Sequence, residues 1–296
     1  MPRMKILNSV ERGVFETPPM FNSAERKRCF DFPAPIQDIA TSLRTPINRL
    51  VFLLNCGYFK ATKRFYSVKT FHPRDLTYVA ERTAIALETA NIADYDKQTM
   101  ARHQAAILDF YGFRAFKPHG RALLGAEIAH LVKFHLKPKL IFSRAIEVLV
   151  REKVEVPSYF RLAALILTAV NQHNRRLTAT VEARLTSDTR ALLDALLLQE
   201  RTDEASTPGT NAAYKLTVMK KLSQSIKPSK VKERVADLRL TEEHFRLLKP
   251  VLDHLTLGQD GIQYYAYGVI KAQIFQLTRR GKHERYLHLI AFIAHQ

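Results

Sequence analysis

Apolar residues recur at three- and four-residue spacing along most of this chain, the period of helices with one buried face. Ile36, Ile39, Ala40 and Leu43 form one such face on a short helix preceded by Pro33 and Pro35. Thr45 suits an N-cap and Pro46 a first helical residue. They start a helix to about Phe59 with Ile47, Leu50, Val51, Leu54 and Tyr58 inward, and Asn48, Arg49 and Asn55 outward. Upstream, Asn22 or Ser23 can cap a helix beginning at Ala24. Asp96 or Thr99 can cap another through Phe110, with Gly112 suited to a left-handed end. Further helices are predicted over Leu123–His135, Leu140–Glu152, Tyr159–Gln172, Thr178–Glu200, Ala212–Ser225, Lys230–Leu238, Glu242–Leu255, Tyr264–Arg279 and from Lys282 onward. Phe65–Phe71 is the one short strand candidate. The expected fold is therefore all-α.

A short helix, a tight turn at Arg44-Thr45 and a longer helix make the helix-turn-helix layout, in which the first turn of the second helix reaches base edges. The clearest loop is Arg201–Thr210. The pattern predicts three modules: 1–92 and 93–200, each a helical DNA-binding module, and 211–296, a further helical module for dimerisation or DNA contact. The last helix reaches Gln296 without a Gly cap, polar tail or Pro, so the chain reads as part of something longer.

Charge sharpens this picture. The 296 residues hold 46 Lys and Arg against 28 Asp and Glu, a formal net charge of +18. The excess comes in blocks. Residues 60–74 carry five basic residues and no acid, 110–144 carry seven against Glu127 alone, and 205–232 carry six and no acid. Residues 151–200 are nearly balanced, seven to six. So large a surplus is self-repelling unless a polyanion uses it. Aromatics interleave the first two blocks (Tyr58, Phe59, Phe65, Tyr66, Phe71; Phe110, Tyr111, Phe113, Phe116) and fit a core as well as a binding face.

Other chemistries lack their residues. The carboxylates are scattered in pairs such as Asp94/Asp96 and Glu242/Glu243, not clustered for two metals. His283/His288 and His130/His135 are five apart, off one helical face. Cys29 and Cys56 make neither a disulfide framework nor a thiolate zinc site and are expected to be buried apolar residues. There is no phosphate-binding P-loop or dinucleotide fingerprint, and no apolar run long enough for a membrane span.

Several stretches resemble the amino-terminal region of transposases of replicative class II transposons, the Tn-three family. They are Met1–Leu7, Phe21–Arg28, Arg44-Thr45-Pro46-Ile47-Asn48-Arg49-Leu50 and Thr62-Lys63-Arg64-Phe65. Arg102-His103-Gln104, Tyr111-Gly112-Phe113-Arg114, Tyr264–Tyr267 with Val269–Ala272, and Arg285–Ile293 continue the resemblance in order. Where the family usually has Asn-Arg-Leu-Gly-Phe, this chain has Asn48-Arg49-Leu50-Val51-Phe52, a change expected to alter packing rather than DNA contact.

The resemblance implies tandem helical domains that bind the transposon's terminal inverted repeats in a bacterial, nucleoid-associated protein. It also implies that cleavage belongs to a distant Asp-Asp-Glu domain, with magnesium, that these residues do not match. On that basis the chain is not an enzyme by itself, needs no cofactor, and has double-stranded DNA as partner, with a homodimer left open. Base or near-base contact is expected from Asn48, Arg49 and Arg102. Phosphate or supporting contact is expected from Arg44, Lys60, Lys63, Arg64, Lys69, His103, Arg114, Lys117, Lys137 and Lys139. The alternatives are a basic helical interaction protein without a nucleic-acid role, or a truncated transposase that competes with the complete one.

Overall fold

The computed structural model describes residues 6–86, 95–134, 137–200, 213–220 and 228–296. The fold is all-α. Extended pairing among the described residues is limited to the two-residue ladder Gln199↔Tyr214 and Glu200↔Ala213, and to a bridge at Arg114↔Val154. No described helix is long and apolar enough to cross a membrane. Where the pattern predicts three modules, packing makes two compact units: residues up to 130 with 137–169, and 131–136 with 170–296.

In unit 1 the helices begin where short polar side chains satisfy free backbone N–H groups. Asn8 and Asn22 each form a capping box, with Glu11 and Glu25, for α1 (Ser9–Glu16) and α2 (Ser23–Cys29). Next come α3 (Ala34–Ser42), then α4 (Pro46–Thr62), which Thr45 caps as expected. After α5 (Pro73–Arg82), Asp96 caps α6 (Lys97–Phe110), and Gly112 takes the left-handed conformation at φ 66°. Helices α7 (Arg121–Lys133), α8 (Pro138–Arg151) and the start of α9 (Tyr159–Arg184) follow. Phe65–Phe71 is not a strand. Val68–Thr70 is a 3₁₀ turn, and Tyr66 and Phe71 bury their rings against Tyr58 at 5.8 and 5.2 Å.

Helix α4 is the axis of this unit and packs on α2, α3, α5 and α6. Every residue from Leu50 to Phe59 is buried, so the helix is sealed on all sides over that length. Asn55, expected outside, is inside and donates through Nδ2 to the Val51 carbonyl at 3.0 Å. Ile107 and Leu108 of α6 join the same core as Leu50 and Phe52, so the helix after residue 93 belongs with those before it. Both cysteines are buried.

Unit 2 holds the rest of α9, α10 (Ser187–Ala195), α11 (Lys215–Lys220), α12 (Pro228–Leu255), α13 (Gln259–Ile270), α14 (Ile274–Thr278) and α15 (Lys282–His295). Several predicted bounds change. α9 runs on to Arg184, and Thr186 then caps α10 by accepting from the Thr189 N–H, which splits the expected Thr178–Glu200 helix. The two predicted helices between Lys230 and Leu255 are one, because nothing at Arg239–Thr241 breaks the chain. Tyr264–Arg279 is two helices, since Gln273 and Gln276 form a capping box between them. The loop expected over Arg201–Thr210 and much of Ala212–Ser225 lie outside the described residues.

The centre of unit 2 is the pair α13 and α15, with Tyr286 to Ile293 buried continuously. Gly268 allows the close approach, because a Cβ there would lie 2.8 Å from the His288 ring. His288 Nδ1 donates to the Tyr265 carbonyl at 2.8 Å, and its Nε2 accepts from Arg280. Burial, with Arg280 adding repulsion, pushes its pKa down to about 4.

Two outcomes follow from this packing. A Cβ at Gly57 would lie 2.2 Å from the Phe30 ring, in a helix that cannot shift. Gly57→Ala should therefore destabilise the protein by about 1–3 kcal/mol, despite alanine's better helix propensity, read as a lower urea midpoint. Between about pH 6.5 and 4 the unfolded chain protonates His288 while the folded one does not. Stability should fall as pH falls through that window, with His288 accounting for about 3 kcal/mol. Urea midpoints at pH 7, 5.5 and 4 check this, and His288→Gln should flatten the profile.

Candidate nucleic-acid interface

Two places in unit 1 gather the residues singled out above. The first is the α3–α4 turn. Arg44 is exposed in it. Arg49 turns back, its Nε donating to the Leu43 carbonyl at 2.7 Å, so it closes the turn rather than standing free for a base edge. Asn48 is half-buried, and its Oδ1 is shielded without a hydrogen-bond partner. The layout is that of a helix-turn-helix, but the second helix is the buried axis of the unit. It offers solvent only its two ends, Pro46–Arg49 and Lys60–Thr62, and no face that could lie along a groove.

The second place is a junction of three distant segments. The Arg114 N–H donates to the Lys153 carbonyl at 2.8 Å, and the Glu155 N–H to the Arg114 carbonyl at 2.9 Å. The Val156 N–H donates to the Lys63 carbonyl at 2.9 Å. Lys63 ends α4 in the left-handed region, φ 59°, and Lys153 has φ 52°. This framework sets Arg114, Lys117, Arg121 and Lys153 at solvent-exposed positions on or beside it. Nearby acids are engaged: Glu152 pairs with Arg151 at 2.9 Å. Burial, partly offset by a Phe116 N–H and by Arg161, raises the pKa of Glu155.

Other candidates are committed to the fold. Arg64, expected on phosphate, is 6% exposed. Its guanidinium lies 3.7 Å from the centre of the Phe15 ring and donates to the Phe15 carbonyl, and burial lowers its pKa. A side chain enclosed in this way cannot reach a phosphate. Lys60 donates to the Arg28 carbonyl at 2.7 Å at the end of α2. Lys63 Nζ donates to the Lys60 carbonyl at 2.8 Å and sits 5.7 Å from the Phe113 ring centre, with its pKa lowered by burial and by Lys60. His103 faces the core: Nδ1 meets the Tyr95 hydroxyl at 3.0 Å, its ring stands edge-on to Phe52, and burial lowers its pKa.

Beside His103, Arg102 is exposed and donates to Thr99 Oγ1 at 3.1 Å. Lys139 pairs with Glu11 at the surface, an interaction worth little in water. Lys69, Lys117 and Lys137 are exposed and carry no ion pair among the described residues. Arg114 makes one long hydrogen bond, 3.4 Å, to the Glu152 carbonyl.

Residues 6–169 match the family described as Domain of unknown function (DUF4158). The chain belongs to the DUF4158 family. No curated protein matches it. The family segment ends at residue 169, where unit 1 ends, so the α3–α4 turn and the junction both lie inside the DUF4158 part. Arg121 and Lys153 were not legible as site residues. Lys153 falls in a stretch of balanced charge, and only its pairing with Arg114 brings it to the junction.

This division of labour predicts opposite mutant behaviour in the DUF4158 unit. Arg64→Ala removes a buried cation and its ring contact and should lower stability by about 2–4 kcal/mol. Lys117→Ala should leave the melting temperature unchanged. Thermal melts of both variants give the comparison.

Proposed function

We propose that this DUF4158 protein binds double-stranded DNA, as the amino-terminal part of a transposase that recognises terminal inverted repeats. The observation that carries the reading is the junction. Arg114 and Lys153, thirty-nine residues apart, are joined by a backbone hydrogen bond at exposed positions, and the exposed Lys117 and Arg121 follow Arg114 closely in the chain. Exposed cations with no carboxylate partner among the described residues suit contact with a phosphate backbone. Arg44, Lys69, Arg102 and Lys137 extend the exposed positive surface of the same unit. The ordered resemblance to Tn-three transposases supports the particular target. On this reading the chain positions DNA, and cleavage belongs to a separate catalytic domain.

Salt titration tests it. If on the order of 6–8 phosphates are neutralised, log affinity for a duplex should fall against log salt with a slope of roughly −5 to −7. Lys117→Ala should weaken all duplexes alike and reduce the slope by about 1. A flat salt dependence, or no binding to any duplex, overturns the reading.

A further inference from the structure

Near the middle of α9, in the part belonging to unit 2, the sequence reads Asn171-Gln172-His173-Asn174-Arg175-Arg176. Charge counting over residues 151–200 hides this stretch, because the acids there lie to either side of it. No Asp or Glu occurs between Glu155 and Glu182.

The helix is anchored along one edge. Leu177 and Val181 are buried in the unit 2 core, and Asn174 Oδ1 accepts from the Tyr265 hydroxyl at 3.0 Å. His173 is half-buried, and burial lowers its pKa, with Arg176 and Lys133 adding to the effect. That places two cations beside a neutral imidazole. Asn171, Gln172, Arg175 and Arg176 are all exposed, as is Lys133.

Successive turns align these side chains. Asn171 and Arg175 follow one line at four-residue spacing, and Gln172 and Arg176 follow the next. From 171 to 176 the helix rises about 8 Å, the length of two to three base pairs of duplex. The residue types are those that read base edges in the major groove: Asn and Gln bidentate to adenine, Arg bidentate to guanine. Acids one turn away would pair with such cations and stabilise the helix. Here Arg175 and Arg176 have no carboxylate among the described residues, and Lys133 adds like charge.

We propose that this face of α9 enters the major groove of duplex DNA, with Gln172, Arg175 and Arg176 at base edges and Lys133 on a phosphate. The inference rests on the duplex-binding reading above and adds a second, sequence-reading contact to it.

The test uses the full chain. Duplexes that it retains from a random pool are sequenced, and affinities for the enriched and a scrambled duplex are measured by fluorescence anisotropy. Gln172→Ala should reduce the enriched-to-scrambled affinity ratio about tenfold. Arg176→Lys should do the same while keeping scrambled binding, because lysine retains the charge but not the planar fork. Melting temperatures should be unchanged. The inference is overturned if no sequence is enriched, if the ratio is unmoved, if both duplexes are lost in parallel, or if the loss tracks a fall in melting temperature. Failure of the wild-type chain to bind any duplex would remove the underlying reading as well. Wild-type binding that Lys117→Ala weakens, with the ratio unmoved in both α9 variants, would remove the α9 contact alone.

Discussion

In unit 1 the carboxylate of Asp75 is almost fully removed from solvent and held between Arg26 Nε and the Tyr58 hydroxyl, each at 2.7 Å. Removing one partner of such a buried pair costs about 3–5 kcal/mol, because the other charge is left without compensation. The three residues come from α5, α2 and α4, so one carboxylate ties together three helices. Arg26 also donates to the Phe21 carbonyl at 2.9 Å, which fixes the loop ahead of α2. With α2, α3, α5 and α6 around it, α4 has no free side. Whatever unit 1 presents to a partner must therefore come from the ends of α4, from the other helices, or from connecting segments. The exposed cations of the junction meet that constraint, as does the partly exposed first turn of α4 at Pro46–Arg49.

Unit 2 is tied together instead by a hydrogen-bond network centred on a buried histidine. Asn174, Tyr265, His288 and Arg280 form a chain that links α9, α13 and α15 to the Arg280 loop. The Tyr286 hydroxyl lies 2.9 Å from both carboxylate oxygens of Asp194, and burial followed by that carboxylate pushes its pKa up to about 12. An imidazole donating at one nitrogen and accepting at the other is satisfied only when neutral. This network also fixes the rotation of α9, since Asn174 is tied to Tyr265 while the side chains at 171, 172, 175 and 176 stand in solvent.

The surplus of +18 is thus spread over two kinds of cation. Arg26, Arg49, Lys60, Lys63 and Arg64 hold the fold through carbonyls, rings and one carboxylate. Arg44, Lys69, Arg114, Lys117, Lys137 and Lys153 stand in solvent. Cations of the second kind, with Arg102, Arg121 and the Arg175–Arg176 pair of α9 among them, are the ones available to a polyanion, and block 60–74 supplies both kinds.

What the sequence determined by itself is what depends on near neighbours. The helical class, the cap at Thr45, the caps narrowed to Asn22 or Ser23 and to Asp96 or Thr99, and the left-handed Gly112 all follow from residues within about four positions, where a side chain meets its own backbone. The tertiary structure decided whatever depended on which side of an element is covered. Arg64 and Arg114 look alike in sequence, but the Phe15 ring, forty-nine residues away, encloses the first and leaves the second exposed. His103 and Arg102 are adjacent, yet one faces Phe52 and the other faces water. Lys153 joined a site only through its pairing with Arg114. The polar face of α9 is defined only once Leu177 and Val181 are placed in the core and Asn174 on Tyr265. Burial is set by contacts far apart in the chain, and composition averaged along a window cannot register them.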